Sequence, residues 1–111
     1  MDYRKINDDF AVAGQITADD IQAVKAAGYR SVISNRPDRE DGAVPHDGIE
    51  AAATAAGLDF RYIPVVGGAF TPEDVEKMAG ALDEMEGPIF AYCRSGARST
   101  NLYMMAKQLR G

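Results

Sequence analysis

The sequence predicts an α/β fold with a central, mostly parallel sheet of four to five strands flanked by helices. Strand-like and helix-like segments alternate along its 111 residues. The run 89–92 is apolar throughout, which is typical of a central strand buried on both faces of a parallel sheet. The chain has the length of one domain and contains no internal repeat or long linker, so we expect a single domain over residues 1–111.

Four segments have the pattern of strands. Each is rich in apolar, β-branched or aromatic residues and is bounded by glycine, proline or polar turn residues. These predicted strands are 10–14, 29–35, 60–64 and 89–92. Their alternation with helices implies crossover connections and therefore parallel pairing.

Four segments have the pattern of helices. Thr17 and Thr71 are suitable N-caps, and acidic residues follow each of them where the helix dipole favours negative charge. With their caps and stop residues, the predicted helices run from Thr17 to Gly28, 49 to 57, Thr71 to Gly87 and 99 to 110. Spacing places Val75, Met78, Ala79, Leu82 and Met85 on the inner face of the third helix, and Leu102, Met105, Ala106 and Leu109 on that of the fourth.

Charge and composition exclude several classes of function. Twelve Lys and Arg against seventeen Asp and Glu give a net charge of −5, which disfavours general nucleic-acid binding. No apolar stretch approaches the roughly 20 residues that span a bilayer, and the charged start lacks a signal-peptide core. We therefore expect a cytoplasmic protein without membrane contact. One cysteine and one histidine exclude an internal disulfide, a thiolate zinc site and a histidine-rich metal site, and we expect no cofactor or metal.

The segment 93–99 carries the chemistry. It lies between the buried strand and the last helix, where α/β sheets bind their ligands. A loop that enters a helix directs unpaired N–H groups and the positive end of the helix dipole at one point, which makes an anion cradle. Gly96 permits the backbone conformation of such a loop. We expect Cys93 at the centre, with Arg94 and Arg98 adding positive charge.

These features predict a reactive thiolate. The cradle and the two arginines are expected to lower the pKa of Cys93, and a thiolate is the nucleophilic form. The alternative is a small buried cysteine beside two solvated arginines, but arginine is unfavourable at a helix N-terminus unless an anion binds there. We predict Cys93 and Arg98 as catalytic residues. The predicted substrate-binding residues are Arg94, Ser95, Gly96, Ala97, Ser99 and Arg36.

Two families resemble parts of this chain. The run Tyr92-Cys-Arg-Ser-Gly-Ala-Arg-Ser99 resembles the active-site loop of single-domain rhodaneses, which are sulfurtransferases. Nearly the whole chain resembles the beta-lactamase-hydrolase-like phosphatase-like domain family, whose fold is similar to that of dual-specificity phosphatases. This second resemblance is carried by Gln15-Ile-Thr17, Ala27-Gly-Tyr29, Val32-Ile-Ser-Asn-Arg-Pro-Asp38, Ala56-Gly57, Tyr62-Ile-Pro-Val-Val66 and Phe70-Thr-Pro-Glu73.

The second resemblance also implies a metabolic setting. Members of that family occur fused to sulfur dioxygenases, which implies sulfide oxidation and a sulfur dioxygenase as a partner in the same pathway. Because this chain lacks the histidines of such a partner domain, we expect the stand-alone form.

Three details bear on the choice between phosphoryl and sulfur transfer. Four residues separate Cys93 from Arg98, as in rhodaneses and one fewer than in cysteine phosphatases. Tyr92 precedes the cysteine, where phosphatases usually carry histidine. The loop 65–70, which in phosphatases of this fold carries the general acid, contains no acid, and Asp74 is expected to serve the helix start. General acid catalysis contributes about 10²–10⁴-fold, whereas sulfite or a thiolate leaves without a proton.

These details favour a rhodanese-type sulfurtransferase. It would move sulfur from thiosulfate or a low-molecular-weight persulfide through a Cys93 persulfide to a thiol or cyanide. The alternatives are a protein-tyrosine or dual-specificity-like phosphatase with a Cys93 phosphocysteine intermediate, and a non-catalytic persulfide carrier or redox sensor. For the enzyme we expect a small anionic sulfur or phosphate substrate.

Ser99 and Arg36 each have a functional and a structural interpretation, and His46 has a structural one. Ser99 either donates a hydrogen bond to the thiolate or simply begins the helix. Arg36 either reaches the mouth of the pocket or braces its loop through Asp38 or Glu40. His46 is expected on the surface, away from Cys93.

Overall fold

The computed structural model describes all 111 residues as nine regular elements and one short 3₁₀ turn. The strands are β1 (Tyr3–Asn7), β2 (Phe10–Ala13), β3 (Ser31–Ser34), β4 (Asp59–Tyr62) and β5 (Ile89–Tyr92). The helices are α1 (Ile21–Ala26), α2 (His46–Ala55), α3 (Pro72–Glu84) and α4 (Ala97–Arg110), and the 3₁₀ turn Ala18–Asp20 precedes α1.

The five strands form one sheet in the order β1-β2-β5-β3-β4. β1 pairs with β2 antiparallel, and the other three pairings are parallel. The predicted fold class is therefore confirmed, and β5 lies at the centre with all four residues buried. Backbone hydrogen bonds continue past the strands: the N–H of Cys93 donates to Ala13 (3.2 Å), and that of Asn35 donates to Tyr92 (2.8 Å). The carboxyl ends of β2, β5 and β3 thus meet at one edge.

Apolar side chains cover both faces of this sheet. One core cluster packs α3 and α4 against residues such as Phe10, Ile33 and Ala91. The other packs α1 and α2 against Val32 and Phe90. Because residues alternate between faces along a strand, the chain leaving β5 at Cys93 continues on the α3 and α4 side.

The two largest departures from the sequence prediction are the strand β1 and the start of α2. β1 was not predicted because it is an edge strand whose residues are mostly exposed and polar, so it carries no apolar pattern. α2 begins at His46 rather than at residue 49, because a carboxylate oxygen of Asp38 accepts the N–H of His46 at 2.9 Å. That cap comes from eight residues upstream, outside the local pattern that identifies N-caps.

The inner face of α4 differs from the predicted stripe. Leu102 and Ala106 are buried as predicted, but Met105 and Leu109 are 41% and 47% exposed. Ser99 and Tyr103 are buried in their place. The ring of Tyr103 stacks on Phe10 with centroids 4.0 Å apart, and this contact together with the burial of Ser99 fixes the rotation of the helix.

The inner face of α3 agrees with its prediction. Val75, Met78, Ala79 and Met85 are buried, and Leu82 packs at the edge of the same cluster. No helix combines the length and the apolar character needed to cross a bilayer.

Candidate active site

Cys93 lies at the end of β5 with its side chain fully buried. The chain then turns at Gly96, whose φ of +94° lies in the left-handed region that favours glycine. This turn directs the N–H of Gly96 at Sγ of Cys93, 3.1 Å away. The loop therefore curls around the sulfur, as an anion cradle at the start of α4 requires.

Gly14 makes room for this loop, and sequence reasoning missed it. A Cβ atom at position 14 would lie only 2.9 Å from the carbonyl oxygen of Arg94. The next residue, Gln15, donates its N–H to that same oxygen at 3.4 Å. A side chain at position 14 would displace the loop, so the strand on one side of β5 helps to set the position of the cradle.

The surroundings of Cys93 favour the thiolate. Burial alone would raise the pKa of the thiol. Hydrogen bonds from the N–H and hydroxyl groups of Ser99, and from the N–H groups of Ser95 and Gly96, outweigh burial, so the pKa of Cys93 is lowered. The sequence analysis attributed the lowered pKa to the loop and the two arginines together. In the structure, hydrogen bonds from neutral groups of the loop lower the pKa of Cys93.

Ser99 and Asn35 form a buried polar pair behind the sulfur. Oγ of Ser99 lies 2.8 Å from Oδ1 of Asn35, and Nδ2 of Asn35 donates to the carbonyl of Ile63 at 3.0 Å. The hydroxyl has one proton, which serves either Asn35 or Cys93. In the structure the hydroxyl donates to Oδ1 of Asn35. An ionised sulfur accepts the stronger bond, so formation of the thiolate favours rotation of that proton from Asn35 to Cys93.

Arg98 is held by a carboxylate beside the loop. Its guanidinium donates to both carboxylate oxygens of Glu40, at 2.9 and 2.7 Å, and to the carbonyl of Val65 at 3.0 Å. The side chain is only 13% exposed. The hydrogen bond from Arg98 is the largest effect lowering the pKa of Glu40, so this carboxylate is ionised at neutral pH.

Arg36 braces its own loop. Its Nε donates to Glu40 at 2.9 Å, and its terminal nitrogens donate to Gln15 at 3.0 Å and to the carbonyl of Asp41 at 2.6 Å. Of the two interpretations from sequence, the structure shows the ion pair, with Glu40 rather than Asp38 as partner. The side chain of Arg36 is buried and committed to these contacts, none of which is with the loop 93–99, and a role in substrate binding stays a prediction.

Glu40 is the carboxylate that forms hydrogen bonds with a side chain of the loop 93–99. Asp74 caps α3 as predicted: its Oδ2 accepts the N–H of Thr71 at 3.0 Å, and its own N–H donates to the Thr71 hydroxyl at 3.1 Å. The loop 65–70 has no acid, and a Cβ on Gly67 would lie 3.6 Å from Nε of Arg98. Glu40 is the carboxylate that contacts a loop side chain, and it is ionised.

Tyr92 does not stand in for the missing acid. It is fully buried, and its hydroxyl has no hydrogen-bond partner. Burial is the main reason that its pKa is raised to about 12. Because Tyr92 faces the α1 and α2 side of the sheet, it points away from the cradle of Cys93.

Of the remaining predicted residues, Arg94, Ser95 and Ala97 are exposed on the loop, and Arg94 makes no ion pair. His46 is less exposed than predicted. Its ring stacks on Tyr62, and none of its contacts is with the loop 93–99.

Comparison with known families confirms the predicted resemblance. The model of the phosphatase-like domain of beta-lactamase hydrolase-like proteins matches residues 2–110. Beta-lactamase hydrolase-like proteins from Agrobacterium fabrum and Xylella fastidiosa are 38% identical over 108 residues and 36% identical over 107 residues. Each alignment covers 96% of this chain but 25% of the relative, so the chain spans about a quarter of these curated relatives.

Solved structures give the same fold. A candidate phosphatase from Neisseria meningitidis has a TM-score of 0.81 at 29% identity, covering 90% of this chain and 72% of its own. One from Shewanella putrefaciens has a TM-score of 0.84 at 25% identity, covering 98% and 70%. The catalytic domain of a yeast PP-IP phosphatase shares the fold alone, with a TM-score of 0.73 at 11% identity over 96% and 65%. These comparisons support a phosphatase-like enzyme and lend no support to a sulfurtransferase.

Replacing Ser99 with alanine should raise the pKa of Cys93, because the thiolate loses the hydroxyl donor while burial remains. Ultraviolet titration of thiolate formation, corrected with the Cys93→Ser variant, measures this. Ser95→Ala is the matched control: it removes an exposed hydroxyl and keeps the N–H. Equal titration of Ser99→Ala and wild type would contradict the assigned role of Ser99.

Glu40→Gln should lower the free energy of unfolding by about 1–3 kcal/mol at neutral pH, because two poorly exposed arginines lose a charged acceptor. Because the pKa of Glu40 is lowered in the folded state, its ionised carboxylate stabilises the fold at pH values above the ordinary carboxyl range. That stabilisation disappears as pH falls through the folded pKa. Urea unfolding across this range should show the two proteins converging at low pH. The control, Glu76→Gln, alters an exposed pair and should cost little.

Proposed function

We propose that this chain, which belongs to the phosphatase-like domain family of beta-lactamase hydrolase-like proteins, is a cysteine-dependent phosphatase for substrates whose leaving group departs without a proton. One observation carries the proposal: the cradle stabilises an ionised Cys93, while the carboxylate that contacts the loop, Glu40, has a lowered pKa and is paired with two arginines. The family and the fold neighbours favour phosphoryl transfer, which was the alternative in the sequence analysis. The site adds the restriction on the leaving group.

The thiolate of Cys93 attacks phosphorus in the first step. The S–P bond forms as the bond from phosphorus to the leaving oxygen breaks, and that oxygen takes the electron pair. N–H groups of the loop, together with the start of α4, stabilise the charge on the phosphoryl oxygens. Arg98, held in place by Glu40, supports this charge from the side of the loop.

Water then cleaves the phosphocysteine. The oxygen of water bonds to phosphorus, the S–P bond breaks with its electron pair returning to sulfur, and the released proton remains on the phosphate product or passes to solvent. As the sulfur departs, the hydroxyl of Ser99 turns its proton from Asn35 to the thiolate and donates a hydrogen bond to it. This donor lowers the barrier because a stabilised thiolate is a better leaving group.

The leaving group decides the substrate class. A serine or other alkyl oxygen leaves poorly unless an acid protonates it, and such catalysis is worth about 10²–10⁴-fold. Glu40 is ionised and paired with two arginines, so it has no proton to give. The leaving groups of acyl phosphates, phosphoanhydrides and phosphates of acidic phenols depart as stable anions. Substrates of these classes therefore fit this site.

Sulfur transfer is the second candidate, and the same missing acid favours it, together with the four-residue spacing between Cys93 and Arg98. The thiolate would attack the outer sulfur of thiosulfate, and the S–S bond would break as sulfite left with the electron pair. An acceptor thiolate would then take the outer sulfur and regenerate Cys93. A persulfide carrier and a sulfur dioxygenase partner are further proposals that depend on this chemistry.

Intact-protein mass spectrometry distinguishes the two candidates. After acetyl phosphate and a rapid acid quench, wild type should carry one phosphoryl group, and Cys93→Ser should carry none. Acetyl phosphate should also be hydrolysed at least about 100-fold faster than a phosphoserine peptide, relative to a no-enzyme control for each. A single added sulfur after thiosulfate, without any phosphoryl adduct, would replace the proposal with sulfur transfer. No adduct from either donor would overturn both.

A further inference from the structure

The loop 65–70 and α4 form an open groove that takes no part in the steps described for Cys93. The main lining residues of this α4 groove are Phe70, Arg98, Met104 and Met105. We propose that the α4 groove binds the chain of a medium-chain acyl phosphate whose phosphoryl group lies in the Cys93 cradle. The inference rests on the proposed function and narrows its substrate class from acyl phosphates in general to those with an apolar chain.

The α4 groove has the size and shape for such a chain. Its volume is about 660 Å³, within the range of about 300–1,000 Å³ that is usual for small-ligand sites. Arg98, Asn101, Met105 and Gln108 line it at intervals of three or four residues, which places them along one face of the helix. At 1.5 Å per residue that face is about 15 Å long, so it suits an extended alkyl chain better than a group as small as acetyl.

The lining is partly apolar and carries no negative charge. Phe70, Ala97, Met104 and Met105 are its apolar members, and none of its eight residues is acidic, although the chain contains 17 Asp and Glu. Met104 and Met105 are 54% and 41% exposed, so they present apolar surface that a ligand can cover. Methionine side chains are flexible and polarisable, and they adapt to apolar ligands of irregular shape.

The α4 groove meets the cradle at Arg98. The pKa of Arg98 is raised chiefly by the hydrogen bond to Glu40 and also by the charge of Cys93, so the guanidinium lies within electrostatic reach of the sulfur. Its bonds to Glu40 and Val65 use the two terminal nitrogens, which leaves the Nε–H for a ligand. A Cβ on Gly67 would lie 3.6 Å from that nitrogen. One molecule can therefore place an anion in the cradle and an apolar chain in the groove.

A second groove fits an apolar chain less well. It has a volume of about 760 Å³, and Asp38, Arg39, Tyr62 and Val66 are among its lining residues. Covering a carboxylate and a guanidinium with an alkyl chain removes water from charged groups without replacing its hydrogen bonds. The uncharged Met104 side of α4 avoids that cost.

An acyl phosphate also meets the leaving-group requirement of the site. As the bond from the sulfur of Cys93 to phosphorus forms, the bond from phosphorus to the acyl oxygen breaks, and a carboxylate leaves with the electron pair. That carboxylate needs no proton, which agrees with the ionised state of Glu40. Water then cleaves the phosphocysteine and releases phosphate.

Calorimetric titration of ethyl phosphate and octyl phosphate into the Cys93→Ser chain tests the groove without turnover. Complete burial of a methylene group strengthens binding about fourfold, so six methylenes half covered by an open groove should strengthen it about 10–100-fold. The double substitution Met104→Gln and Met105→Gln, at two exposed positions, should remove most of this difference. Leu109→Gln is the matched control, because Leu109 is an apolar residue of α4 that is 47% exposed and does not line the groove.

Kinetics of the wild-type chain provide a second measurement. Octanoyl phosphate should have a lower KM than acetyl phosphate by a similar factor, with kcat little changed, because the chain is bound equally in the ground and transition states. Absence of hydrolysis and of a phosphoryl adduct, with the chain-length effect on binding intact, would overturn the proposed function and leave the groove assignment standing.

Three results would overturn the groove assignment itself. They are equal affinity for octyl and ethyl phosphate, a chain-length effect that persists in the folded double variant, and octyl phosphate binding that inorganic phosphate does not displace. The last result would show that the chain binds apart from the cradle.

Discussion

The hydrogen bonds that converge on the buried sulfur of Cys93 are the interaction on which the site depends. Burial opposes a charged sulfur, and the N–H groups of the loop with the hydroxyl of Ser99 reverse that preference. The loop holds this shape because Gly96 takes a left-handed turn and Gly14 leaves room for the Arg94 carbonyl. The central position of β5 places the whole arrangement where three parallel strands end.

A second constraint separates this site from a general phosphatase. The fold and the family are phosphatase-like, but a fold alone does not determine a reaction. Here Glu40 binds Arg98 and Arg36 as an ionised carboxylate, and the loop 65–70 offers no acid. The carboxylate nearest to the cradle therefore organises positive charge and supplies no proton. Because the site supplies no proton, it fits substrates whose leaving groups are stable anions.

The sequence was most informative where local patterns determine structure. The apolar strand 89–92, the Cys93 loop and the α3 cap each depend on neighbouring residues, and each lies where it was expected. Contacts between residues far apart in the sequence could not be predicted from local patterns. Glu40 reaches Arg98 across 58 positions, Ser99 meets Asn35 across 64, and the rotation of α4 follows from contacts with the sheet. No helical period or cap motif encodes those pairings, and the sequence therefore left two interpretations open for Arg36, of which the structure shows the ion pair with Glu40.

The dependence of kcat/KM on pH, with an aryl phosphate whose own ionisation is titrated separately and divided out, tests the central claim most directly. The correction is needed because the second pKa of such a substrate lies near about 6. The account predicts a profile that rises as Cys93 ionises and then stays level, because no general acid must remain protonated. The rising limb should move to higher pH in Ser99→Ala. A bell-shaped profile whose falling limb is lost when one carboxylate is replaced by its amide would show a general acid and contradict the account.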